Sequence, residues 1–279
     1  MYERFFVTPK WFYDHIKDKN VVILDVSSRK PLEKIDYQYL FYKKHIPSAQ
    51  FFNLDICDRY AHLPHMLPDK ITFNNMVEEL GISNTHQVIL YDQGDLFSAP
   101  RAWWTFKIFG CNHVKILSGG LSRWEKAGYF LESGISAVRK KQRFVITYLS
   151  NHVLSKKEVL SFLWKSDIQF IDARTTARFN AKKPEPRPGL RMGHIPGSKN
   201  VPWFWLVHKG CYKKPKKLNA IFYKQGVNIS MPTVTSCGSG MTAAVVLLAL
   251  IILGNNKVKL YDGSWAEWGK DNNLPIESK

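Results

Sequence analysis

The chain is written twice. Val22-Ile-Leu-Asp25 recurs as Phe170-Ile-Asp172, and His45-Ile-Pro47 recurs as His194-Ile-Pro196. Val88-Ile-Leu-Tyr-Asp92 is answered by Thr233-Val-Thr-Ser-Cys237, Val114-Lys-Ile-Leu117 by Val258-Lys-Leu-Tyr261, and Trp124 by Trp268. The landmarks keep their order at offsets of 144 to 149 residues. That spacing is the size of a domain, far longer than the period of a solenoid, so it marks a duplication. A length of 279 residues agrees, since domains run at about 150 residues each. The polar stretch from Leu131 to Ser150, with Arg139-Lys-Lys141 inside it, is the seam. The expected division is residues 1–145 and 146–279.

Within each copy, short apolar runs alternate with helical ones. In the first, Val21–Asp25, Val88–Tyr91 and Val114–Leu117 read as strands. Phe73–Leu80 and Ala99–Phe109 read as helices stopped by Gly81 and Gly110. Continuous apolar strands alternating with helices predict an α/β fold, each copy a parallel sheet flanked by helices on both faces. The longest apolar run, Ala243–Leu253, falls short of the roughly 18 residues a bilayer requires, so it is expected as a buried helix.

Composition narrows the function. Cys57, Cys111, Cys211 and Cys237 form neither a C-x-x-C pair nor a zinc-like spacing, so they read as thiols of a reducing compartment, and no metal is expected. The N-terminus interrupts any apolar core with charge and Pro9, which argues for a soluble cytoplasmic protein. Forty Lys and Arg against 23 Asp and Glu give +17, which draws small anions in general. The basic residues are scattered and no nucleic-acid-binding motif accompanies them, so neither nucleic acid nor membrane is expected as a partner.

In parallel sheets the chemistry sits where a strand's carboxyl end feeds a helix. That rule points to Asp92 and Cys237. Behind Cys237 come Gly238-Ser-Gly-Met-Thr242 and then the apolar helix from Ala243. The glycines let the backbone curl, so that the N–H groups of Gly238, Ser239, Gly240, Met241 and Thr242 surround one sulfur at a helix N-terminus. Such a cradle favours a thiolate, and equally a persulfide anion. A buried cysteine that merely fills space needs no such loop. Nothing comparable flanks the other three cysteines.

Cys237-Gly-Ser-Gly-Met-Thr-Ala243, Asp172-Ala-Arg174, Arg178-Phe179, Pro184-Glu-Pro-Arg187, Gly193-His-Ile-Pro-Gly197 and Tyr261-Asp-Gly-Ser-Trp265 together resemble the two-domain rhodanese family, specifically its bacterial 3-mercaptopyruvate sulfurtransferases. His65-Met-Leu-Pro68 and Ser98-Ala-Pro-Arg-Ala-Trp-Trp104 extend the likeness through the first copy. The resemblance implies two tandem rhodanese-like domains, the first catalytically silent because Asp92 stands at the cysteine position and cannot carry sulfur. It implies that Cys237 takes sulfur from 3-mercaptopyruvate, pyruvate leaves, and a thiol such as thioredoxin or glutathione, or cyanide in an assay, removes the sulfur. No cofactor is implied. It further implies Arg178 and Arg187 as the clamp on the substrate carboxylate and carbonyl, a task that suits the planar guanidinium fork. Ser239, His65 and Asp55 are implied as the proton relay, with Asp58 and His62 as neighbouring alternatives. Arg174, Arg191, His45 and His194 read as structural. Two positions depart from the family pattern: Met241 stands where valine is common, and Ser48 replaces the glycine of the first His-Ile-Pro-Gly turn.

Three other readings compete. Thiosulfate sulfurtransferases typically carry cations after the cysteine, where Gly238 and Ser239 are neutral. A cysteine phosphatase needs an arginine closing the loop, which here ends in Met241-Thr242. A non-catalytic interaction module would leave Cys237 incidental.

Overall fold

The structure, a computed structural model, describes residues 2–55, 63–136 and 138–278. Cys57, Asp58 and His62 lie outside the described residues. Two compact units result. Among the described residues the first takes 2–55, 67–136, 138–149 and 209–211, and the second takes 63–66, 150–208 and 212–278.

The first unit is built on a five-stranded parallel sheet of β1 (Phe6–Val7), β2 (Val21–Asp25), β3 (Gln50–Phe51), β4 (Gln87–Tyr91) and β5 (Val114–Leu117), in the order β1-β5-β4-β2-β3. Its helices are α1 (Pro9–His15), α2 (Tyr37–Lys43), α3 (Lys70–Glu79), α4 (Ala99–Ile108) and α5 (Gly120–Lys126). The second unit repeats the plan with β6 (Val153–Leu154), β7 (Gln169–Asp172), β8 (Lys199–Asn200), a short ribbon of β9 (Val207–His208) and β10 (Cys211–Tyr212), then β11 (Thr233–Ser236) and β12 (Val258–Tyr261). Its sheet order, β6-β12-β11-β7-β8, is the first order over again. Its helices are α6 (Lys156–Phe162), α7 (Thr176–Phe179), α8 (Pro215–Lys224), α9 (Ala243–Ile252) and α10 (Ser264–Trp268). The expected two-copy parallel α/β architecture is what forms.

Burial explains why the central strands read as unbroken apolar runs. Every residue of β2 and of β11 is buried, so neither face alternates with solvent. Helix α9 is buried at nine of its ten positions and packs on β11 and β12, which is why its sequence lacks a polar face. No helix among the described residues is long and apolar enough to cross a membrane.

The matched landmarks make matched contacts. His45 and His194 are both buried, stack on Phe41 and Phe179, and place Nδ1 at 2.8 Å from the carbonyl of that same phenylalanine. A carbonyl only accepts, so Nδ1 carries the proton in each. Trp124 and Trp268 donate their indole N–H to Phe130 and Pro275 carbonyls. In the turn after each His-Ile-Pro, Ser48 takes a left-handed φ of 61° where Gly197 takes 72°. The glycine-free turn therefore keeps its shape at the cost of backbone strain. The Ser48 N–H donates to the Glu132 carboxylate, as the Gly197 N–H does to Glu277.

Candidate active site

Cys237 follows β11 directly and is 2% exposed. Its loop is set by the turn before α10. The Trp265 N–H donates to the Cys237 carbonyl at 2.9 Å and the Ala266 N–H to the Gly238 carbonyl at 2.8 Å. A trans peptide is planar, with C=O and N–H antiparallel, so fixing these carbonyls turns the Gly238 and Ser239 N–H groups away from α10. Among the described residues, the N–H groups of Gly238, Ser239, Met241 and Thr242 donate to no protein acceptor. The Gly240 N–H, also expected in the cradle, donates to Ser264 Oγ at 3.0 Å.

Ser264 was legible only as part of a motif, and its place in the site emerges from geometry. Fully buried, it accepts from the Cys237 N–H as well (3.2 Å) and donates to the Tyr261 carbonyl (2.8 Å), so one hydroxyl ties both ends of the loop. It does so at φ 49°, a strained value for serine. The first unit has Gly120 at the matching position, at φ 53° and with no hydroxyl to offer. The other loop contacts do match there: the Leu121 N–H donates to the Asp92 carbonyl and the Ser122 N–H to the Gln93 carbonyl.

The first unit shows what such a loop holds. Asp92, 2% exposed, accepts from the N–H groups of Gly94 (2.9 Å), Leu96 (3.4 Å), Ser98 (3.3 Å) and Ala99 (3.1 Å). A carboxylate thus sits in a ring of main-chain amides at the start of α4. Burial and the nearby Asp95 charge push its carboxyl up from the ordinary range, while the amides of Ala99, Gly94 and Ser98 pull it down.

The two arginines of the expected clamp sit differently. Arg178 packs on the loop: a Cβ added to Gly238 would lie 3.0 Å from its Nη2, a tight contact that glycine avoids. It also pairs with Glu185 through Nε (3.1 Å) and Nη2. Glu185, whose side chain is 2% exposed, takes Arg174 Nη1 at 2.7 Å as well. Arg174 in turn grips Asp172 and the Gly193 carbonyl. Arg191 likewise ties down the carbonyls of Trp268, Gly269, Asp271 and Leu274. Arg187 is half-buried in the proline-rich segment. Of the relay residues, Ser239 is buried beside Cys237, and half-buried His65, at φ 60°, groups with the second unit. Asp55 lies in the first unit and accepts from Ser28 Oγ at 3.1 Å. Among the described residues Cys111, Cys211 and Cys237 are free thiols. Burial pushes the Cys111 thiol up to about 11, and Arg123 Nη1 stands 3.4 Å from Cys211 Sγ.

The copies also differ at the end of their second strand. Asp172 has Arg174, but at the position equivalent to Arg174 the first unit has Ser27. Asp25 therefore receives the Ser27 N–H on Oδ1, while its buried Oδ2 has no hydrogen-bond partner among the described residues. Burial pushes its carboxyl up to about 6. A raised carboxyl binds its proton more tightly folded than unfolded. Its contribution is therefore full below about 3.8 and is lost as pH rises through about 6. That shift corresponds to at most about 3 kcal/mol. Asp25→Asn is expected to gain about 1–3 kcal/mol over the parent at pH 7.5 and little at pH 4, read from urea unfolding at both values.

Comparison with known proteins agrees with the fold. A rhodanese-like domain profile covers residues 8–127 and 155–271. The 3-mercaptopyruvate sulfurtransferase of Escherichia coli K12 is 45% identical over 98% of this chain and 97% of its own length. The mitochondrial thiosulfate/3-mercaptopyruvate sulfurtransferase 1 of Arabidopsis thaliana is 36% identical over 98% of this chain and 78% of its own. The crystal structure of SseA, a 3-mercaptopyruvate sulfotransferase from Escherichia coli, superposes with a TM-score of 0.87 at 42% identity, covering 94% of this chain and 98% of that one. The chain belongs to the rhodanese family, as a two-domain sulfurtransferase.

Proposed function

We propose that the protein moves sulfur from 3-mercaptopyruvate to a thiol, or to cyanide in an assay, through a persulfide on Cys237, and releases pyruvate. The observation that carries this reading is the amide loop. Four N–H groups of the Cys237 loop have no protein acceptor among the described residues, and the matching loop of the first unit already holds the Asp92 carboxylate with four of its own. The same device in the second unit suits a thiolate and the persulfide that replaces it. The first unit, with Asp92 in the cysteine's place, carries no sulfur.

In the first half-reaction the Cys237 thiolate attacks the substrate sulfur. The carbon–sulfur bond breaks, its electron pair leaves as the enolate of pyruvate, and a persulfide remains on Cys237. The proton lost by the substrate thiol is returned to the enolate carbon. Ser239, His65 and Asp55 serve as the relay, His65 being acid and base in turn. Arg178, held against Gly238, takes the donor's carboxylate, with Arg187 as the second arm of the clamp. In the second half-reaction the acceptor thiolate attacks the outer sulfur, the S–S bond breaks, and Cys237 leaves as thiolate. The two half-reactions predict ping-pong kinetics. A nucleophile that must stay reduced suits a reducing compartment such as the cytoplasm.

Thiosulfate is the competing donor, since the Arabidopsis relative is named for both and Arg178 brings a cation to the loop. Intact-protein mass after incubation with 3-mercaptopyruvate is expected to show one added sulfur, about 32 Da, removed by dithiothreitol. Catalytic efficiency is expected to be higher with 3-mercaptopyruvate than with thiosulfate. A thiosulfate preference overturns the donor assignment, and no added sulfur from either donor favours a non-catalytic module.

A further inference from the structure

Between Glu185 and Asp262 the chain carries no Asp or Glu, yet it carries eleven Lys and Arg. Helix α8 and the two residues before it hold five of them, Lys213, Lys214, Lys216, Lys217 and Lys224. Leu218 and Phe222 are the buried side of α8, so the helix turns its apolar residues into the core. With 3.6 residues per turn, Lys216, Lys217, Ala220, Tyr223 and Lys224 share the opposite face. All five are exposed, Tyr223 at 82%.

Lys213 is already engaged, its Nζ donating to the Trp205 carbonyl at 2.6 Å. The ion pairs of the second unit, among the described residues, belong to Lys156, Arg174, Arg178 and His194. None reaches α8, so the ammonium groups of Lys214, Lys216, Lys217 and Lys224 have no protein partner among those residues. The duplication supplies a contrast. Helix α3 stands 145 residues earlier and precedes β4 as α8 precedes β11. It is capped by Asp69, which accepts the Thr72 N–H at 2.9 Å, and it ends in Glu78 and Glu79, with Lys141 on Glu79 at 2.6 Å. Helix α8 has Lys214 at its cap, with no side-chain bond, and no acid in its first turn. The scaffold therefore does not require a cationic face here. Cations at the positive end of the helix dipole weaken α8 on its own, and an anion laid against them relieves that.

We infer that the outer face of α8 binds single-stranded nucleic acid, with phosphates on Lys214, Lys216, Lys217 and Lys224 and a base stacked on Tyr223. Lysines beside an exposed aromatic ring are the pairing such strands use, backbone on charge and base on ring. Lys217 and Lys224 stand two turns apart, about 10 Å along the axis, so one strand can lie across them. A lipid surface fits less well, because Leu218 and Phe222 are buried and only Ala220 and Tyr223 remain outward as apolar groups. An acidic protein fits less well too, since every cation of the face is Lys, a residue depleted from protein interfaces in favour of Arg. The inference departs from the expectation of no nucleic-acid partner, which rested on basic residues that read as scattered. It is independent of the proposed sulfur transfer.

The test is fluorescence anisotropy of a labelled oligouridylate of about 12 nucleotides, a length within the range such sites cover, titrated with the full chain from low to physiological salt. Log Kd is expected to rise with log salt at a slope near 3, as about four phosphate contacts on a single strand imply. An oligothymidylate of the same length is expected to bind alike, since neither Lys nor Tyr223 reads a 2′-hydroxyl. Lys216→Gln with Lys217→Gln and Lys224→Gln should lower the slope by about 2 and weaken low-salt binding at least tenfold. Lys17→Gln with Lys126→Gln and Lys140→Gln, exposed lysines of the first unit, removes the same net charge and should change neither. Tyr223→Ala should weaken binding roughly tenfold at an unchanged slope, and Tyr223→Phe should bind as the parent does. Urea midpoints equal to the parent's show that the variants fold. The inference is overturned if the parent binds no oligonucleotide at low salt, or if the first-unit triple variant loses as much as the α8 triple. It is equally overturned if poly-glutamate or phosphatidylserine vesicles bind as tightly and Tyr223→Ala binds the oligonucleotide like the parent, which would make the partner an acidic protein or a lipid surface.

Discussion

Cys237→Ser is expected to lose sulfur transfer by roughly a thousandfold or more, as removal of a covalent nucleophile does. The variant should take up no sulfur from 3-mercaptopyruvate, because serine oxygen cannot form the persulfide. The fold should survive. The loop is held by Ser264 and by the amides of Trp265 and Ala266, all acting on the backbone, and none of these bonds uses the Cys237 sulfur. Cys111 supplies the contrast: its thiol, pushed up to about 11 by burial, stays protonated at neutral pH. Cys111→Ala should therefore transfer sulfur at the parent's rate. Activity with cyanide and intact mass read both variants, and transfer persisting in Cys237→Ser would remove the nucleophile assignment.

Much of this was open to a reader of the residues alone, because the duplication checks itself. A motif that recurs at one offset fixes the strands, and identical strand orders followed in the two sheets. The pairing of Asp92 with Cys237 needed only alignment of the repeats. What stayed hidden depends on φ angles and on bonds between segments far apart in sequence. Ser264 stands in Tyr261-Asp-Gly-Ser-Trp265, yet no pattern tells that a serine at a left-handed φ ties down the loop of a cysteine 27 positions earlier. Glu185 was visible only as the acid within a proline-rich run. Its role needs the distances to two arginines, one of them the expected substrate clamp.

Glu185→Ala should be among the most damaging single changes outside the cysteine. Glu185 carries two guanidinium groups at once, its side chain 2% exposed and Arg174's only 1%. Arg174 keeps Asp172 and the Gly193 carbonyl when Glu185 is lost, but Arg178 keeps no protein partner among the described residues. Removing one member of a buried ionic group leaves an uncompensated charge, and the cost is about 3–5 kcal/mol. Urea unfolding should show the midpoint falling with little change in slope. Activity should fall beyond what stability explains, because Arg178 reaches the loop as a group fixed on one side by Glu185 and facing Gly238 on the other. Glu185→Gln separates the two effects. It keeps the shape and an acceptor for Arg178 Nε while removing the charge, so it should restore most of the positioning and only part of the stability. Under the clamp assignment, the KM for 3-mercaptopyruvate therefore rises more in Glu185→Ala than in Glu185→Gln. Equal KM values in the two variants would make Arg178 a structural ion-pair partner and leave the substrate carboxylate to Arg187 alone.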